Sequence, residues 1–111
     1  MKYNIYINQK AVIDNGWDLN INHLAVLDCI VGMIETNQLE TLEDEGHRWY
    51  YISAHYINKN LPLLNIKVNR LRKLINELED CFLISKYKHN QFLGKSYLRL
   101  NSNYFTHYKN Y

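Results

Sequence analysis

The sequence predicts an α+β domain, and three observations define its type. From His47 to Leu100 the chain reads in order as an apolar strand, a short helix, a turn containing the single proline, a longer basic amphipathic helix and a two-stranded hairpin. The 111 residues suffice for one domain and not for two, and 47% of them are apolar, enough for a sizeable core. The cations gather on the long helix and on the hairpin after it. Together these features describe a winged helix-turn-helix: a three-helix core, a small antiparallel sheet and one wing, with a short N-terminal strand or helix and a short C-terminal helix. A single domain is expected over residues 1–111. Residues 1–21 form an arm and short helix, 22–101 the winged-helix core, and 102–111 a tail.

Tyr3, Ile5 and Ile7 alternate and predict a short strand or an extended arm. Asn8 can cap a brief helix over residues 9–14, with Ala11 and either Val12 or Ile13 inward, and Asn15-Gly16 can end it. The first long helix runs from about Asn22 to about Thr36, with Asn20 or Asn22 as its cap. Leu24, Leu27, Ile30, Val31 and Ile34 recur at helical steps, and Ala25, Cys29 and Met33 widen the stripe. His23, at its start, reads as an exposed polar residue. Residues 37–46 form an acidic connector, with a hairpin turn expected at Glu45-Gly46 and residues 39–43 pairing back on the next strand. Its charge should hold that tip away from phosphate.

Residues 48–53 are dense in aromatics and predict a strand, after which Ser53 caps a short helix over residues 54–60 with Ala54, Ile57 and Leu61 inward. Pro62 stops that helix, and Leu63 and Leu64 are expected to plug the angle between helices. The next helix spans about Lys67 to Asp80, with Val68, Leu71, Leu74, Ile75 and Leu78 as its apolar stripe. Asn69, Arg72, Lys73 and Asn76 fall opposite the stripe, with Arg70 and Glu77 on the flank. The acids Glu77, Glu79 and Asp80 come last, against the order the helix dipole favours. A helix whose first turns meet phosphates and base edges would have this arrangement. Residues 82–87 predict a strand, 88–95 a loop and 96–100 the returning strand, made basic by Lys86, Lys88, Lys95, Arg99 and His89. In the tail, Tyr104, Phe105 and Tyr108 have helical spacing and predict a last short helix on the body.

The net charge of +2 divides unevenly. Residues 1–46 carry two cations and eight anions, a net of −6, whereas residues 47–111 carry eleven cations and three anions, a net of +8. One face should therefore attract a polyanion. Tyrosine supplies 10 of the 15 aromatic residues, which suits a thin domain with many half-buried positions. No apolar run approaches a membrane span and the first residues lack a signal-peptide core, so a cytoplasmic protein without a membrane partner is expected. Cys29 and Cys81 sit among apolar neighbours and read as reduced core thiols. His23, His47, His55, His89 and His107 are not spaced with the cysteines as a zinc site requires. The glycines build no phosphate loop. Neither a cofactor nor an enzymatic function is expected.

Three segments carry a resemblance. They are Trp49-Tyr50-Tyr51-Ile52-Ser53, then Asn60-Leu61-Pro62-Leu63-Leu64-Asn65-Ile66-Lys67, then Leu71 to Leu78 with Leu83-Ile84. In these the chain resembles small winged-helix proteins of bacterial phages and mobile elements. Ile7-Asn8-Gln9-Lys10 also resembles their start. The chain departs from their pattern at Phe82, where glycine is common, and in its acidic connector. That resemblance implies replication initiation or transcriptional regulation through double-stranded DNA. The helix carrying Lys67, Asn69, Arg70, Arg72, Lys73 and Asn76 would enter the major groove, and the wing carrying Lys88 and Lys95 would touch backbone or minor groove. Arg70, Arg72 and Lys73 would take phosphate or guanine, Asn69 and Asn76 base edges, and Lys86, Lys88, Lys95 and Arg99 would add non-specific attraction. A homodimer reading paired half-sites is a further expectation. The alternative is a protein-interaction winged helix that recruits or blocks host machinery, contacting its partner through the acidic connector or the Tyr-rich tail.

Overall fold

The computed structural model describes residues 2–88 and 96–111. His89 and Lys95 lie outside the described residues. The elements follow the expected order. Helix α1 (Gln9–Asn15) starts at Asn8, whose side chain accepts from the Ala11 N–H, and ends at Gly16, which takes the left-handed conformation at φ +68°. Ala11 and Val12 are buried, and Ile13 faces out. Helix α2 (Ile21–Glu35) is capped by Asn20 rather than Asn22. The Asn20 side chain accepts from the His23 N–H at 3.2 Å, and His23 Nδ1 accepts from the Asn20 N–H at 3.0 Å, which closes a capping box. His23 is therefore not exposed. It is 5% accessible, because both ring nitrogens have partners inside the protein.

Strands β1 (Thr41–Asp44) and β2 (His47–Tyr51) form the expected hairpin, and both turn residues have positive φ, 52° at Glu45 and 77° at Gly46. Helix α3 (Ala54–Asn60) begins at Ser53, whose hydroxyl accepts from the Tyr56 N–H, and a 3-10 turn at Pro62–Leu64 leads out of it. Leu61 fills the angle between helices. Leu64 is half-buried, and Leu63 is 99% exposed. The expectation that both leucines pack is thus half right: a single tight turn cannot aim successive side chains the same way. Helix α4 (Val68–Asp80) follows, then β3 (Ile84–Lys86) and β4 (Tyr97–Leu100).

The sheet is antiparallel in the order β1-β2-β4-β3. Leu98 and Ile84 face the helices. Leu27 and Ile30 of α2, Ile57 of α3 and Leu71, Leu74 and Leu78 of α4 close on them in one hydrophobic cluster. Helix α5 (Ser102–Tyr104) continues into a π turn at Phe105–Lys109. Tyr104 and Tyr108 are buried but Phe105 points out, so the tail packs on two of its three predicted aromatics. The Tyr108 hydroxyl accepts from the Asn8 N–H at 3.0 Å, and the Asn8 amide donates to the Tyr108 carbonyl at 2.8 Å. Both termini are thereby tied together. Among the described residues the N-terminal segment forms an arm and not a strand. The Lys2 N–H donates to the Asn60 carbonyl, and the Lys2 ammonium sits 3.0 Å from the Asp28 carboxylate, so the arm crosses α2 to reach α3. No described helix is long and apolar enough to cross a membrane.

The end of α4 explains the departure at Phe82. The Leu83 N–H bonds back to the Leu78 carbonyl at 3.2 Å and the Phe82 N–H to the Glu79 carbonyl at 2.9 Å, with Leu78 and Leu83 both buried. This is a Schellman stop, which needs a left-handed residue. Phe82 supplies it at φ +59° while its ring stays 68% exposed. The side chain gains little burial to offset a backbone conformation that costs a non-glycine residue roughly 1 kcal/mol. Phe82→Gly should raise the unfolding free energy by about that amount in denaturant titration; a loss of stability would show that the ring contributes more than its exposure suggests.

Candidate nucleic-acid interface

Helix α4 is held at one roll angle by contacts on three sides. Leu71, Leu74, Ile75 and Leu78 are buried against the core. The Asn58 amide donates to the Ile66 carbonyl at 2.7 Å and fixes the entry to the helix. On the flank, His23 Nε2 donates to Glu77 Oε1 at 3.1 Å. With His23 Nδ1 the acceptor in the capping box, Nε2 is the nitrogen that carries the hydrogen for Glu77. At the far end, Glu79 Oε2 accepts from the Lys86 N–H at 3.0 Å, and Glu79 Oε1 stands 3.4 Å from Lys88 Nζ. The helix thereby fixes the root of the wing.

With the roll fixed, Lys67, Asn69, Arg70, Arg72, Lys73 and Asn76 are all exposed. Three of them take part in side-chain bonds. Arg72 Nη1 donates to Asn69 Oδ1 at 3.1 Å, and Lys86 Nζ donates to Asn76 Oδ1 at 2.7 Å. Lys86 is half-buried and joins the wing to the α4 face. The N-cap position of α4 is Lys67, which makes no capping bond, and no acid lies in the first turn. The helix itself thus supplies no anion to the positive end of its dipole. A cleft opens between the start of α3, α4 and the wing, and its polar lining is Ser53, His55, Arg72, Asn76, Lys86 and Ser96. His55 and Ser96 were not singled out from sequence. The only sequence sign for His55 was its outward position on α3, where Ala54 and Ile57 take the inward positions.

Other predicted residues lie elsewhere. Arg99 departs from the expectation: its guanidinium lies 5.3 Å from the Trp49 ring centroid, and Nη1 donates to the Leu100 carbonyl. Strand alternation sets it beside Tyr97 and away from Leu98, so it packs on the aromatic side of the sheet. Lys88 is exposed at the wing root. Lys95 lies outside the described residues. The acidic hairpin tip abuts the wing root. The Tyr87 hydroxyl donates to Asp44 Oδ2 at 2.7 Å, and Asp44 and Glu45 share a shallow depression with Lys86 and Lys88. Contact between Trp49 and Tyr87, 5.1 Å between ring centres, draws the two hairpins together. The Asp44 bond in turn pushes the Tyr87 phenol above its ordinary pKa.

Burial pushes the Cys29 thiol up to about 11, so it is not a nucleophile, and both cysteines are free. Among the described residues no three His, Cys, Asp or Glu side chains gather to hold a metal.

No protein-family model and no curated protein matches the chain. The fold is similar to a solved structure described as the N-terminal domain of a DNA binding protein, with a TM-score of 0.60 and 16% sequence identity over 88% of this chain and 73% of the other.

The His23 bond holds the Glu77 carboxyl below its ordinary 4.5, helped by the charges of Lys73 and Arg70. A lowered folded-state pKa adds stability above the ordinary value that is lost as pH falls through the folded one. Glu77→Gln keeps an acceptor for His23 but cannot titrate. Its thermal midpoint should fall less steeply than that of the parent as pH drops below 4.5. Parallel profiles would show that the ion at position 77 does not stabilise the fold.

Proposed function

We propose that the protein binds double-stranded DNA by placing α4 in the major groove, in the service of replication initiation or transcriptional regulation. The observation that carries this reading is the exposed α4 face. Six donor-bearing side chains, Lys67 to Asn76, project from one rigid helix, while Glu77 and Glu79 of the same helix are held by His23 and by the wing. A helix with its side chains is about 10–12 Å across, which matches a major groove about 12 Å wide. Lys86 and Lys88 at the wing root extend the positive ridge beside it. The structural likeness to a domain of a DNA binding protein and the resemblance to winged-helix proteins of phages and mobile elements support the same reading.

Non-specific attraction should come mostly from phosphate neutralisation and fall with salt. The Arg72→Ala/Lys73→Ala double variant should lose about tenfold or more in duplex affinity at low salt. Its log–log salt slope should be shallower by about two, with an unchanged unfolding midpoint. Fluorescence anisotropy over a salt series, alongside thermal unfolding, measures all three. Equal affinity in the variant would remove α4 from the interface. Absence of any duplex binding by the parent at low salt would favour a protein-interaction module instead.

A further inference from the structure

We infer that α4 favours guanine in the major groove, because the face it presents donates hydrogen bonds and accepts almost none. This rests on the DNA-binding reading above and adds the base preference to it. A helix carrying Asn69 and Asn76 would ordinarily suit adenine. An asparagine amide reads adenine by donating to N7 and accepting from N6–H2 at once, so it needs its oxygen free. Here each oxygen already accepts one bond from a cation. Asn76 Oδ1 accepts from Lys86 Nζ at 2.7 Å and Asn69 Oδ1 from Arg72 Nη1 at 3.1 Å. An ammonium and a guanidinium can only donate, so the amide atoms facing them must be the oxygens. The groups turned outward are then the Nδ2 donors.

The remaining groups on the face act alike. Arg70, Lys73 and Lys67 are donors only, and Arg72 keeps four of its five N–H groups after bonding Asn69. The carboxylates that could accept are committed. Glu77 holds His23, and Glu79 holds the Lys86 N–H and faces Lys88. Asp80 stands one turn beyond Asn76, at the end of the helix. Adenine N6 and cytosine N4 offer hydrogens for which this face has few acceptors left. Guanine offers two adjacent acceptors, N7 and O6, which an arginine fork or a lysine satisfies together. Arg72 and Asn76 line one cleft with Lys86, and the groups there that can accept, Ser53, His55 and Ser96, stand on the α3 and β4 walls and not on α4.

The test is competition among four duplexes of equal length at one fixed salt: G·C-containing, all A·T, the G·C sequence with inosine for guanine, and the same sequence with 7-deazaguanine. Inosine keeps guanine's major-groove edge and gives the minor groove the character of A·T. The G·C and inosine duplexes should bind alike, with the A·T and 7-deazaguanine duplexes weaker by about fivefold or more, the effect of one bidentate contact. Equal binding of G·C and A·T would overturn the guanine preference and leave DNA binding standing. Inosine behaving like A·T would also overturn it, by assigning the discrimination to the minor groove. If none of the four binds, the DNA reading itself fails.

Discussion

The roll of α4 about its own axis is the constraint on which the exposed face depends. A helix with a four-residue apolar stripe could rock by tens of degrees against a smooth core. This one is pinned on both flanks. His23 takes Glu77 from the α2 side, and the wing backbone takes Glu79 from the other. Asn58 fixes the entry at Ile66 and the Schellman stop fixes the exit at Leu83. A rotation large enough to bury Arg72 would break at least the His23 bond. That would leave the buried Nε2 of His23 without a partner while Nδ1 stays in the capping box, at a cost of about 1–3 kcal/mol. The donors therefore project from a rigid frame, which is what base reading from a helix requires.

The same pins resolve the unfavourable charge order of the helix. Cations at the start and acids at the end oppose the macrodipole. Two of the three acids have instead a local task. Glu77 orients the ring that caps α2, and Glu79 anchors β3. At the start of the helix Lys67 makes no cap and the first turn holds no acid, while Lys73 and Arg70 act on Glu77 through charge. The acidic hairpin tip completes the electrostatics. Asp44 and Glu45 share a depression with Lys86 and Lys88, so negative charge borders the positive wing root.

Much of this fold was legible because its signals are local. Asn8, Ser53, Pro62, Gly16 and the Glu45-Gly46 turn each act within a few residues of themselves, and the structure uses all five as their chemistry suggests. What could not be read depends on pairings far apart in the chain. His23 looked like a surface residue because its partner Glu77 is 54 positions away. Arg99 looked like a wing cation because nothing in its neighbourhood announces Trp49. That the acidic tip adjoins the wing could not be read, because the order β1-β2-β4-β3, which joins the hairpins through β2 and β4, is not written in either hairpin. At the candidate site the identity of the exposed residues on α4 was readable from periodicity. Which amide oxygens were already occupied was not.

The central claim is that one pinned face of α4 meets the duplex. Backbone and side-chain amide NMR shifts during titration with a short G·C-containing duplex test it most directly. The account predicts that the largest changes fall on residues 67–76, on the Asn69 and Asn76 side-chain amides and on Lys86, with the β1–β2 tip and the buried face of α2 nearly silent. Changes centred on the acidic hairpin or on the C-terminal turn, with α4 undisturbed, would contradict it.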